Sequence, residues 1–239
     1  MPTSENAQPA RPLEACQFED EALAPWRSPL SRALHRNRAV PFCRYLQLAT
    51  LKLDGTPANR TVVFRGFLNG TNALMFISDF RSEKTAQIQQ NPNAEACWYF
   101  TKTREQFRLA GQLTLVTAQG KQNNDTEHNA LTLQTARQNI WQTISDNARI
   151  QFTWPYPKAP RSANRPSLEE VSTSELSASE LSAIPNKLDE QNPPEAFTLL
   201  ILTPCSVDHL ELRGDPQNRH LYIKDNGETP TWNVSAVNP

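Results

Sequence analysis

The sequence predicts a mainly β, α+β protein built as a small antiparallel barrel with flanking helices, and three observations carry that prediction. Apolar residues recur at every second position in several short runs, the mark of half-buried strands. Turn pairs such as Asp54-Gly55 and Asn69-Gly70 separate those runs, as hairpins require. Helical spacing is confined to a few segments, with no strand–helix–strand rhythm and neither GxGxxG nor GxxxxGK, which argues against a Rossmann-type or P-loop site.

Residues 1–22 are polar and proline-bearing and are expected to form a flexible N-terminal tail, with 23–239 as one domain. Ser28-Pro29 reads as a helix start, a capping hydroxyl followed by proline in the first turn. From Arg44 the period changes to two. Tyr45 to Leu53, Ala58 to Leu68 and Ala73 to Ser78 are predicted as three strands of a meander. The stretch S-D-F-R-S-E-K-T-A-Q-I-Q-Q-N-P follows as a short helix, capped by Asp79 or Ser82 and stopped at Asn91-Pro92. Ala94 to Thr101 and Glu105 to Ala118 are two further strands, and Leu131, Ala136, Ile140, Trp141 and Ile144 mark a helix within 126–150. A Ser/Pro-rich insertion at about 156–194, with a tandem S-E-L-S-A, is expected to be a solvated loop that packs little. Strands resume at 197–203, 207–212 and 219–223.

Composition narrows the function. Lys+Arg 24 against Asp+Glu 25 leaves a net charge of −1, without the overall basic footprint that nucleic acid or anionic membrane calls for. The four cysteines and four histidines are scattered, with no CxxC or Cys/His cluster, so neither a disulfide framework nor a metal site is expected. No apolar run is long enough to span a bilayer, and the first residues have no apolar signal core. A soluble, cytoplasmic protein is the expectation.

The candidate chemistry begins with R-T-V-V-F-R-G-F, a β-prone run with an arginine near each end, Arg60 and Arg65. Buried arginine needs a partner. Arg81-Ser82-Glu83-Lys84 places a hydroxyl and two cations at a helix start, where backbone N–H groups and the helix dipole favour a phosphate. The same residues also read as an ordinary capped surface helix. Arg60 can approach that helix start. Arg65, an odd number of residues away, faces the other side of a regular strand, so one phosphate does not easily hold both. Gln106 offers donor and acceptor to a heterocycle edge, and equally fits an exposed strand.

These three motifs, R-T-V-V-F-R-G, S-D-F-R-S-E-K-T-A-Q-I-Q-Q-N-P and R-E-Q-F-R-L-A-G, in this order and spacing, resemble the pyridoxamine 5′-phosphate oxidase family, and more closely its FMN-binding oxidase-related branch. V-D-H-L-E-L and N-R-H-L-Y are similar to that family's last barrel strands, so the likeness covers roughly 25–155 and 196–239. It implies an FMN-binding split β-barrel, working as a homodimer with FMN at the interface. By motif, Arg60 would bind the FMN phosphate and Thr61, Val62 and Val63 would line the flavin. Arg65, where the family usually has lysine, would lie near the reactive side of the ring. Ile77 and Ser78 would border the ribityl path, with Arg81, Ser82 and Lys84 at the phosphate. Gln106 would bond the flavin edge, and Arg219 would approach it from the partner subunit.

The departures are Glu83 in place of a second cation, Leu210 in place of a tryptophan, and Asp215 and Gln217 in place of the arginine and histidine that grip the vitamin phosphate. The resemblance therefore implies a kept FMN half and a lost vitamin B6 half. Trp154 reads as a replacement wall or equally as a core tryptophan, and Arg149 is a further residue whose place at the site the sequence leaves open. The expected function is an FMN-dependent oxidoreductase on an unidentified small molecule. True pyridoxamine 5′-phosphate oxidation and a non-catalytic flavin-sensing module stand as alternatives.

Overall fold

A computed structural model describes residues 22–121, 127–160, 189–225 and 231–239. The predicted tail and most of the Ser/Pro-rich insertion lie outside the described residues. Ten antiparallel strands form one curled sheet: β1 (Tyr45–Leu51), β2 (Pro57–Val63), β3 (Gly66–Phe67), β4 (Leu74–Asp79), β5 (Asn93–Phe100), β6 (Glu105–Thr117), β7 (Gly120–Lys121), β8 (Phe197–Glu211), β9 (Asn218–Lys224) and β10 (Trp232–Val237). The order is β10-β9-β8-β6-β5-β1-β2, with β4 on the first half of β8, β3 on β4, and β7 on β6. Helices α1 (Arg27–Arg36), α2 (Glu83–Gln90), α3 (Glu127–Thr143) and α4 (Asp146–Arg149) flank the sheet. No helix among the described residues is long and apolar enough to cross a membrane.

The meander expected over residues 45–78 is corrected. β1 and β2 form the hairpin, but the return strand breaks after Val63. Phe64 N–H still donates to Arg44 O, whereas Arg65 N–H donates to Met75 O, so the chain passes from one neighbour to another within two residues. Gly66 takes φ +131°, a region that side-chain-bearing residues avoid, and this permits the bend. β4 then pairs with β3, the second piece of the broken return strand, on one side and with β8 on the other.

The two strands expected at 197–203 and 207–212 are one continuous β8. Its pairing with β6 shifts between Ala110 and Gly111, where Pro204 faces Gly111. Proline cannot donate to a ladder, and a bulge accommodates it. A Cβ on Gly111 would lie 2.0 Å from Thr203 O, so only glycine fits there. β10 was not anticipated: T-W-N-V-S-A-V has one half-buried and five exposed positions and no strong alternation.

Two cores explain the burial pattern. The barrel interior holds Leu46, Leu48, Phe64, Trp98, Phe100, Phe107, Leu109 and Leu200. A second core joins α3 to the opposite face of β4 and β8 through Trp141, Phe197, Leu199, Ile201 and Met75. Because both faces of its first half are covered, β8 reads F-T-L-L-I-L without alternation. Each fully buried large side chain contributes roughly 1.5–3 kcal/mol. Residues 189–194, expected to pack little, instead meet α3: Trp141 Nε1–H donates to Asp189 O and Arg137 to Pro194 O. At α1, Trp26 and not Ser28 occupies the N-cap, without a side-chain capping bond. Ser28 and Pro29 fall in the first turn, where no intrahelical N–H is needed.

Candidate functional site

The chain leaves β4 at Ser78-Asp79, turns through Phe80-Arg81, and enters α2 with Ser82 at its N-cap. Ser82 Oγ donates to Asp79 O at 2.7 Å and makes no capping bond to the helix, so the hydroxyl faces back toward β4. There Lys84 Nζ donates to Ser78 Oγ at 2.9 Å and to Ser82 Oγ at 3.0 Å. Arg60, paired with Leu48 across the β1–β2 ladder, projects into the same region from β2. Its Nη1 donates to Thr50 Oγ1 at 2.6 Å and Leu48 O at 3.1 Å, and its Nη2 to Gln87 Oε1 at 3.0 Å.

Every hydrogen-bond partner of these two cations is neutral. The neighbouring carboxylates are engaged elsewhere: Asp79 holds Arg81 through Nε at 3.0 Å and Nη2 at 2.6 Å, and Glu83 holds Lys158 at 2.5 Å. Burial pushes the Lys84 ammonium below its ordinary range, and the Arg60 charge pushes it further; burial likewise lowers Arg60. Arg60 disfavours the Lys84 charge, and both cations sit among neutral partners at a helix start, an arrangement without an anion of its own. The donor set suits the terminal phosphate of FMN.

The other predicted residues are distributed more widely. Thr61 is exposed, Val62 is buried in the barrel, Val63 and Ile77 are half-buried, and Ile77 packs on the second core. Arg81, placed at the phosphate by resemblance, has its charge balanced by Asp79. Arg65 is half-buried beside Tyr45 and Arg44, and its Nε has no hydrogen-bond partner. Gln106 pairs across the ladder with Tyr99 on one side and Leu210 on the other, and Leu210 pairs with Arg219. This row alternates with the inward row of Leu48, Arg60, Ala96, Leu109, Val207 and Tyr222. Gln106 and Arg219 therefore leave the sheet from the face opposite to Arg60. On that outer face Asp208 accepts from Arg219 Nε at 3.0 Å and Nη2 at 2.7 Å, and from Arg108. Burial opposes the Asp208 charge, but the two arginines outweigh it and hold the carboxyl below its usual range.

Arg149 is occupied at the end of α3, donating to Trp141 O, Gln142 O and Asp146 Oδ1, and Trp154 is partly exposed beyond it. A pocket of about 600 Å³ lined by Ala22, Arg27, Phe67 and Thr71 contains none of the predicted residues. Sequence reasoning missed Thr50 and Gln87, which are buried and bonded to each other at 2.7 Å. A polar residue at a core position of its element was the available signal. It also missed that scattered residues meet at Glu105 and His209, a buried pair 3.1 Å apart with the ring stacked on Phe107 and Glu211 nearby.

The curled sheet with its helices is a split β-barrel. A family model described as pyridoxamine 5′-phosphate oxidase, FMN-binding domain, matches residues 23–117. The pyridoxine/pyridoxamine 5′-phosphate oxidase 2 of Arabidopsis thaliana is 31% identical over 222 residues, covering 91% of this chain and 98% of that protein. A solved pyridoxamine 5′-phosphate oxidase-related, FMN-binding protein from Nostoc punctiforme is 49% identical, with a TM-score of 0.75 over 91% of this chain and 99% of its own. PhzG from Burkholderia lata, solved with tetrahydrophenazine-1-carboxylic acid, shares the fold at 17% identity and a TM-score of 0.64, covering 95% of this chain and 99% of that one. The chain belongs to the pyridoxamine 5′-phosphate oxidase-related family of FMN-binding proteins, and its cofactor is FMN.

Proposed function

We propose that the protein is an FMN-dependent oxidoreductase of small molecules that works as a homodimer in the cytoplasm. The observation that carries the dimer is the division of the site: the cations Arg60 and Lys84 lie on one face of the sheet, Gln106 and Arg219 on the other. One flavin meets both sets when a second copy presents its outer face. In this reading Arg60, Lys84, Ser78 and Ser82 hold the phosphate, the Thr61–Val63 backbone and Ile77 border the flavin, and Arg65 lies toward the reacting side. Gln106 and Arg219 come from the other copy. Arg81 acts indirectly, holding Asp79 away from the phosphate. When bound, FMN supplies the redox chemistry, and the protein supplies orientation and electrostatics.

A second reading, oxidation of pyridoxamine 5′-phosphate itself, is favoured by the name of the Arabidopsis relative. Asp215 and Gln217 weigh against it, since both are exposed and neither supplies a cation for the substrate phosphate. The test is to purify the protein, identify its flavin by spectrum and mass, and follow flavin reduction and reoxidation against a metabolite panel that includes pyridoxamine 5′-phosphate. Reduction by another metabolite with little turnover of pyridoxamine 5′-phosphate is the expected result. Turnover of pyridoxamine 5′-phosphate above every other compound establishes the second reading. Protein that is colourless and takes up no FMN defeats both.

A further inference from the structure

We propose that Gln87 and Thr50 are positioning residues that hold Arg60 with neutral oxygens, so that its charge remains available to the cofactor phosphate, and that they thereby set the preference for FMN over riboflavin. The proposal rests on the phosphate reading above.

Guanidinium groups of this chain are held in two ways, by carboxylates or by neutral oxygens. Arg81 is met by Asp79, and Arg219 and Arg108 by Asp208. A carboxylate is the stronger acceptor for a guanidinium, and its negative charge cancels the positive one. Beside a second cation, Lys84, and like the buried Arg137 with its backbone carbonyls, Arg60 meets neutral oxygens instead. Its three acceptors are a backbone carbonyl, a hydroxyl and a carboxamide oxygen, which orient the fork without neutralising it.

Burial makes this arrangement specific. Thr50 is 2% exposed and Gln87 5% exposed, so solvent does not satisfy either group. Each buried polar atom needs its partner. Thr50 Oγ1 accepts from Arg60 and donates to Gln87 Oε1, which also accepts from Arg60 Nη2, so the three side chains close a ring. Gln87 lies on the inward face of α2 with Thr85 and Ile88, one turn after Lys84. The ring therefore ties the helix that carries Lys84 to the strands that carry Arg60, and fixes the separation of the two cations. Among the charged groups that act on the pair, Glu83 is bonded to Lys158 and Asp79 to Arg81.

The substitution Gln87→Glu keeps the shape of the side chain and places a carboxylate against Arg60. Affinities of the apo protein for FMN and for riboflavin, which lacks the phosphate, are measured by quenching of flavin fluorescence. FMN binding is expected to weaken by about tenfold or more while riboflavin binding stays within about twofold, so the FMN-to-riboflavin ratio collapses. Thr50→Val supplies a second arm, because it removes one acceptor and adds no charge; a loss of about threefold to tenfold for FMN alone is expected. A general structural fault weakens both flavins together. Folded Gln87→Glu protein with the wild-type ratio overturns the proposal, as does an equal loss for both flavins in Thr50→Val. A wild-type ratio near one instead removes the phosphate reading on which the proposal rests.

Discussion

Two cation clusters lie on opposite faces of one sheet and meet their need for hydrogen-bond acceptors in opposite ways. On the inner face, Arg60 and Lys84 are ringed by Thr50, Gln87, Ser78 and Ser82, all neutral. On the outer face, Arg108 and Arg219 converge on Asp208, and their bonds and charges outweigh burial and hold that carboxylate ionised. In the first cluster burial and then the Arg60 charge lower the affinity of Lys84 for its proton; in the second the carboxylate raises that of both arginines. A cation cluster without its own anion is matched to a dianionic ligand. One with an internal anion offers oriented N–H groups with reduced net charge, which suits the edge of a neutral ring.

The largest effect expected from this contrast is on FMN affinity. Arg60→Ala and Lys84→Ala each remove a charge-assisted phosphate contact, worth about 1.5–3 kcal/mol, or roughly tenfold to a hundredfold in affinity. Loss of Lys84 also relieves repulsion within the apo protein, so its apo melting temperature should change little or rise. Flavin titration beside thermal melting of the apo form checks both. Weak FMN binding accompanied by a lower apo melting temperature in Lys84→Ala would make the cluster structural.

Asp208→Asn is expected to act in the reverse sense, on stability. It leaves two guanidinium groups facing each other across the sheet with one neutral acceptor, at a cost of about 1–2 kcal/mol after discounting for partial exposure. The pH dependence identifies the cause. The folded Asp208 carboxyl lies below its unfolded value near ~4, so its contribution is present above that value and is lost as pH falls through the folded one. Wild type and variant should therefore differ fully at neutral pH and converge in acid. Denaturant melts across that range test this, and a gap that persists at the acid end would mean that charge is not the reason.

The sequence made the first cluster more legible than the second. Arg60, Ser82 and Lys84 lie in short contiguous motifs, where a cation or hydroxyl at a strand or helix start has a physical reading. Asp208 and Arg108 are 100 residues apart and become neighbours only through the β6–β8 ladder. The strand pattern was visible from alternation, but the break at Phe64-Arg65 and the union of 197–211 were not. Both depend on which neighbour accepts a hydrogen bond, and a period of two is blind to that. Gly66 and Gly111 were the available signs, since glycine inside a strand pattern marks a bend or a close approach. Gln87 looked like one of four glutamines or asparagines within five residues, and only the packing of α2 separates it from the exposed ones.

Glu83 gives the finest test of the contrast, because it is a carboxylate beside the inner cluster that does not join it. Its hydrogen bond goes to Lys158, and both side chains are largely exposed, at 61% and 73%. Its field still reaches Arg60 and Lys84, raising the proton affinity of each. If the inner cluster works through uncancelled charge, Glu83→Ala should strengthen FMN binding slightly, by less than about twofold, because solvent screens an exposed charge. That gain should shrink as salt is added, whereas the losses in Arg60→Ala and Lys84→Ala should persist. The helix dipole complicates the sign for α2 itself, since an acidic residue in the first turn stabilises it. A small drop in apo melting temperature together with equal or tighter FMN binding is thus the expected pair of results. A marked loss of FMN affinity would place Glu83 inside the site and undo the division between neutral partners and charged ones.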